Sequence, residues 1–309
     1  MAASSLVTRL LTNSGISLRS CRSFSAFASR HKKNNSTSVS QKEFKVFKWS
    51  PVRNASTSLI PEEAGMIFRQ LFHYDTYTYT YLLACSKTRE AIIIDPVDDM
   101  IERDLNYVKE LGLDLIYGIN THVHADHVTG TGKLKSALPN LKSVISAKSG
   151  ATADKYVENG NIIRFGTEYL ECRETPGHTG GCTSFVSHDH KMVFTGDAIL
   201  IRACGRTDFQ QGNPSQLYDS IHKQIFTLPD LYQLFPGHDY KGFTSSTILE
   251  EKTLNPRLTL SKDKFIEFMR ELNLAYPKLI DISVPANLKC GSISKEAVDG
   301  SQQILDKIQ

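Results

Sequence analysis

Four potential metal ligands lie within six residues of this chain, in the run Thr121-His122-Val123-His124-Ala125-Asp126-His127. Imidazoles and carboxylates are hard-to-borderline donors suited to zinc, iron or manganese. Alternation at the end of a strand sends His122 and His124 to the same side. The turn that follows supplies Asp126 and His127 from another direction. Three distant residues extend the set: His178 after Thr175-Pro176-Gly177, Asp197 after Phe194-Thr195-Gly196, and His238 after Phe235-Pro236-Gly237. In each a glycine precedes the donor, where it lets backbone approach a shared centre closely. Any one of them could be a turn residue, and Asp197 could cap a helix; the repetition points to one metal centre. His73, His188, His190 and His222 lack this context and read as structural or exposed.

The elements that must position these donors are short strands. Thr76–Ala84 alternates Thr and Tyr before turning apolar, which reads as strand. Ala91–Ile94 is a compact strand run stopped at Asp95-Pro96. Asp114–Asn120 is a strand that ends directly at the histidine run. Leu141–Ser146, Asn161–Phe165, Tyr169–Arg173, Thr183–Ser187 and Met192–Phe194 add further strands. Helical patterns cover Asp104–Leu111, Gly130–Ala137, Leu217–Ile225 and Lys262–Leu272. Strands in runs, then mixed with helices, predict a layered α+β body.

The 309 residues are ample for a core without disulfides. The six cysteines form no Cys-x-x-Cys pair, so zinc ribbons and thioredoxin-type sites are not indicated. No apolar run approaches the ~18 residues of a membrane span, so no membrane insertion is expected. The net charge of +3 hides an asymmetry: residues 1–53 hold ten Lys/Arg and one acid, Glu43, while residues 54–309 carry a net charge of −6. A basic surface for nucleic acid is therefore not indicated. Residues 1–42 lack Asp and Glu, are rich in Ser and interspersed with Arg, and can place Leu6, Leu10 and Leu11 on one helical face. That is the pattern of an organelle transit peptide, mitochondrial rather than plastid. The expected organisation is a transit peptide and linker over 1–53, further linker over 54–63, and one domain over 64–309. Met66, at that boundary, offers a second start for a cytosolic form.

Taken in order, His-x-His-x-Asp-His, Gly-His, Gly-Asp and Gly-His resemble the metallo-β-lactamase superfamily over about Ala64 to Tyr240. The resemblance implies a four-layer αβ/βα sandwich with a short C-terminal extension and the metal at one edge between two sheets. Two narrower families within it are similar to this chain. Glyoxalase II, a binuclear zinc hydrolase of S-lactoylglutathione, shares Thr-Pro-Gly-His-Thr and Thr-Gly-Asp. It would use all seven donors for two metals and a bridging hydroxide. The persulfide dioxygenases of mitochondria are also similar beyond the metal motifs, in Arg202-Ala203-Cys204-Gly205-Arg206-Thr207-Asp208-Phe209-Gln210-Gln211-Gly212, Asn255-Pro256-Arg257-Leu258-Thr259-Leu260, Pro277-Lys278-Leu279-Ile280-Asp281 and Val284-Pro285-Ala286-Asn287.

That second resemblance spans nearly the whole body. It implies a non-haem Fe(II) dioxygenase of hydrogen sulfide catabolism, which oxidises glutathione persulfide with O2 and water to sulfite and glutathione. One Fe(II) per chain would be held by His122, His178 and Asp197, a facial set that leaves the opposite side open. His124, Asp126, His127 and His238 would hydrogen-bond around it. The family also implies a homodimer. Glutathione brings carboxylates, for which Arg206 is the expected bidentate clamp; Tyr240 is the expected hydroxyl donor near the open face. Cys182 and Cys204 read as small buried hydrophobes. A persulfide-binding metal protein without turnover is the non-enzymatic alternative.

Overall fold

Every residue of β2 (Thr78–Cys85) is buried. Tyr79, Tyr81 and Leu83 face one apolar cluster, while Leu82 and Ala84 face another. A strand buried on both faces belongs inside a sheet covered on both sides, and the computed structural model, which describes residues 65–292, has that architecture. The transit segment and linker lie outside the described residues.

The first sheet runs in sequence order: β1 (Met66–His73), β2, β3 (Glu90–Ile94), β4 (Asp114–Ile119), β5 (Lys142–Ser146) and β6 (Lys155–Val157). Its first three strands are antiparallel and its last four parallel. Helices α1 (Ile101–Glu110) and α2 (Thr131–Ala137) form the crossovers and cover its outer face, where Ile101, Val108 and Leu134 meet Leu82, Ala84, Ala91 and Ile93. The second sheet holds β7 (Ile162–Phe165), β8 (Glu168–Glu174), β9 (Thr183–Ser187), β10 (Met192–Gly196), β11 (Gln233–Pro236) and β12 (Ser246–Thr247), again in order. Helices α3 (Pro214–Ser220), α4 (Ile248–Leu254) and α5 (Lys262–Arg270) cover it: Leu217, Ile248, Phe265 and Met269 pack on Val186, Val193 and Leu234.

Between the sheets lie Tyr81, Leu83, Ile92, Ile94 and Ile119 from one side and Phe165, Phe185, Phe194 and Phe235 from the other. Each such side chain, removed from water, contributes roughly 1.5–3 kcal/mol before entropic costs. The expected four-layer sandwich is thus the fold. The last helix, α6 (Ile280–Asn287), belongs to neither outer layer; Val284 packs beside Val123 and Ile145, under the histidine run.

Two details depart from the sequence reading. Strand β1 was not anticipated, because an edge strand pairs on one side only and its burial alternates imperfectly. The helix expected over Leu217–Ile225 is α3 followed by a wider π turn over Ile221–Ile225, which keeps Ile221 and Ile225 buried.

Candidate metal centre

All seven donors lie just beyond the C-terminal ends of strands, at one edge of the sandwich: the histidine run after β4, His178 after β8, Asp197 after β10 and His238 after β11. His122, His178 and Asp197 each present one donor atom within 4.8 Å of the other two. The remaining atoms of the two imidazoles are committed to orientation. Thr121 Oγ1 donates to Asp95 Oδ2 at 2.8 Å and accepts from His122 Nδ1 at 2.9 Å, leaving Nε2 of His122 as its ligand atom. His178 Nδ1 donates to the Arg206 carbonyl at 2.7 Å, and its Nε2 faces Asp197 Oδ2 at 3.7 Å.

Electrostatics suit a cation here. Burial pushes the His122 ring down, and its histidine neighbours push it further, so it is a neutral ring with a lone pair. Burial alone would raise the Asp197 carboxyl, but the adjacent His238, His178 and His122 outweigh it and hold the carboxyl well below its ordinary range. Two neutral imidazoles and one carboxylate around a common point are a donor set a divalent transition metal fits.

The other four donors are engaged differently. His238 spans two carboxylates, donating from Nδ1 to Asp197 Oδ1 at 2.7 Å and from Nε2 to Asp126 Oδ2 at 2.9 Å. Burial opposes its charge, yet the two carboxylates prevail and raise it well above an ordinary histidine. Asp126 Oδ2 also accepts from His127 Nδ1 at 2.8 Å, and His124 Nε2 donates to Asp95 Oδ1 at 3.0 Å. His124, Asp126 and His127 likewise bring donor atoms within 4.8 Å of one another, and the buried Nδ1 of His124 and Nε2 of His127 have no hydrogen-bond partner.

Residues that sequence reasoning passed over hold this arrangement. Asp95 accepts from the Thr121 amide at 2.7 Å as well as from Thr121 Oγ1 and His124, and its backbone takes a left-handed φ of 51°. Its place directly after a buried strand, like the anticipated donors, was the available signal. Asn287 of α6 donates to the carbonyls of His124 and His127 at 2.9 and 2.8 Å and accepts from the Thr129 amide at 2.8 Å. Nothing in its local sequence announces that role. Gly237 is required by close approach: a Cβ there would lie 2.7 Å from Asp197 Oδ1.

The anticipated substrate residues lie apart from the donors. Arg206 donates from Nε and one terminal nitrogen to the two oxygens of Asp208, both at 2.7 Å, and from the other to the Ala275 carbonyl at 2.8 Å. Its guanidinium also lies over the Phe209 ring, 4.6 Å from the centroid. The fork a substrate carboxylate would need is therefore taken by Asp208. Tyr240 lies parallel to the His238 ring with centroids 6.2 Å apart, and is 64% exposed. Cys182 and Cys204 are buried, their thiols pushed up by burial to about 12 and about 11, which suits hydrophobic filling and not nucleophilic chemistry. The loop from Arg202 is pinned by the second similar segment: Asn255 donates to the Ala203 carbonyl and Arg257 to that of Cys204, both at 2.9 Å.

Known proteins agree with this site. Residues 73–238 match the metallo-beta-lactamase superfamily. The chain is 56% identical over 228 residues to "Persulfide dioxygenase ETHE1, mitochondrial" of Homo sapiens, covering 74% of this chain and 90% of that protein. The crystal structure of ETHE1 from Myxococcus xanthus is 49% identical with a TM-score of 0.71, covering 73% of this chain and all of that one. A hydroxyacylglutathione hydrolase of Polaromonas is 34% identical over 181 residues, 57% of this chain and 67% of that protein. The chain belongs to the metallo-β-lactamase superfamily and, within it, to the persulfide dioxygenase family.

Proposed function

We propose that this chain is a mitochondrial, iron(II)-dependent persulfide dioxygenase that converts glutathione persulfide, O2 and water to glutathione and sulfite. The observation that carries the mononuclear reading is His238. Both of its nitrogens are spent on carboxylates, so the donors left facing a common point beside it are His122, His178 and Asp197. Ferrous iron held there supplies the redox chemistry that lets dioxygen react with a sulfur anion. The protein contributes position: Thr121 and the Arg206 carbonyl fix the two imidazoles, and His238 fixes the carboxylate. Arg206, while Asp208 holds its fork, acts on the mouth of the site by tethering the 274–275 backbone.

A second reading has its own support. The bare nitrogens of His124 and His127, buried beside Asp126, suit a second metal and hence a glyoxalase II-type thioesterase. Metal analysis of protein purified without added metal, paired with O2 uptake on glutathione persulfide, separates the two. About one iron per chain with persulfide-dependent O2 uptake is expected. Two tightly held zinc ions with fast S-lactoylglutathione hydrolysis would replace the dioxygenase reading. The catalytic body is assigned to residues 64–309 and the address to the segment before it. A reporter fused to residues 1–60 should enter mitochondria; a diffuse cytosolic or plastid signal would refute that placement.

A further inference from the structure

The proposed reaction, written in balance, is GSSH + O2 + H2O → GSH + sulfite dianion + two protons. The protons are released at a buried centre whose open side is filled by the substrate. A departure route through the protein is then a chemical requirement, and the turn between β1 and β2 contains one.

His73 is 4% exposed, and its Nδ1 lies 2.7 Å from Thr76 Oγ1. Thr76 Oγ1 is 2.7 Å from Thr78 Oγ1. Thr78 Oγ1 lies 3.2 Å from His238 Nε2 and 3.3 Å from Asp126 Oδ2. The unbroken series His238–Thr78–Thr76–His73 thus leads from beside the metal donors to the rim of the sheet. Two backbone bonds hold the turn against the site: Asp239 N donates to the Tyr77 carbonyl at 3.2 Å and Tyr79 N to the Gly237 carbonyl at 2.8 Å. At the outer end, Nε2 of His73 is buried without a hydrogen-bond partner, 3.9 Å from the carboxylate of Asp75, whose side chain is 93% exposed. A structural histidine has no need of a bare inner nitrogen aimed at a mobile surface acid; a relay terminus does.

We propose that Thr78, Thr76 and His73 form the proton exit of this enzyme, with Asp75 as the acceptor at the surface. This rests on the dioxygenase reading for its purpose, though not for its geometry. Each hydroxyl can accept on one side while donating on the other. A proton leaving His238 Nε2 binds Thr78 Oγ1, the Thr78 proton moves to Thr76 Oγ1, and the Thr76 proton moves to Nδ1 of His73. His73 then gives up its Nε2 proton to Asp75 or bulk water. No electrons move, and rotation of the two hydroxyls resets the series.

Thr76→Val keeps the shape of the half-buried turn residue and removes the hydroxyl, whereas Thr76→Ser restores it. In metal-free protein, exchange of the His238 ring protons with solvent, followed by their downfield NMR signals, should slow roughly tenfold or more in Thr76→Val and recover in Thr76→Ser. In the iron-loaded enzyme Thr76→Val should lower kcat with KM and iron content unchanged, and added Tris should restore it while leaving the parent enzyme unaffected. Wild-type exchange in metal-free Thr76→Val would overturn the relay, as would a kcat loss that neither Ser nor buffer recovers. If the parent enzyme fails to oxidise glutathione persulfide, the dioxygenase reading falls while the exchange measurement still decides the relay.

Discussion

Two groups of donors share one strand-end edge and nearly the same chemistry, yet they are wired in opposite ways. In the triangle of His122, His178 and Asp197, each imidazole is bonded from behind, by Thr121 or the Arg206 carbonyl, and Asp197 is held by His238. One atom of each is left to converge. In the neighbouring group, His127 and His238 spend a proton on Asp126, so the carboxylate is consumed by hydrogen bonds. Residue type alone makes both groups metal sites. What separates them is where the second nitrogen of each imidazole and the second oxygen of each carboxylate is bound.

The largest effect should come from the triangle. His122→Ala, His178→Ala or Asp197→Ala should abolish both bound iron and O2 uptake, read by elemental analysis and an oxygen electrode. Substitutions in the neighbouring group should be milder. Asp126→Ala or His238→Ala should leave measurable iron, with affinity or activity down roughly 10–100-fold, as for changes that disorient a ligand without removing it. Equal loss of metal from both groups would erase the distinction and indicate a binuclear centre.

Asn287 sharpens the comparison from beneath, because it holds the backbone carrying His124 and His127 without touching the triangle. Asn287→Ala removes three buried hydrogen bonds, worth about 1 kcal/mol each. Denaturant unfolding should report that loss, and iron affinity should fall less than in Asp126→Ala. A variant as stable as the parent would show that α6 does not support the run.

The smallest effect should be at Arg206. Its ion pair with the half-exposed Asp208 is worth about 1 kcal/mol, so Arg206→Ala should lower kcat/KM only about fivefold, with iron unchanged. Asp208→Asn distinguishes tether from clamp. It loosens the mouth and weakens turnover if Arg206 tethers, and lowers KM for glutathione persulfide if the freed fork takes the substrate.

The strand alternation and the position of the donors were legible because both are local. Tyr79, Tyr81 and Leu83 face inward by period alone, and an apolar run followed by glycine and a donor marks a strand end. All seven donors do gather at that edge. Their division of labour was not legible. An imidazole's role depends on what its other nitrogen meets, and those partners come from far along the chain: Asp95 for His124, the Arg206 carbonyl for His178, Asp126 for His238. His73 looked inert for the same reason, since its sequence neighbours are ordinary and its connection to His238 exists only once the β1–β2 turn is bonded to residues 237–239. Sequence by itself determined which chemical groups this protein owns and on which layer each strand residue falls. Only the tertiary structure decided which lone pairs remain free, because a hydrogen bond between distant residues leaves no periodicity in the chain.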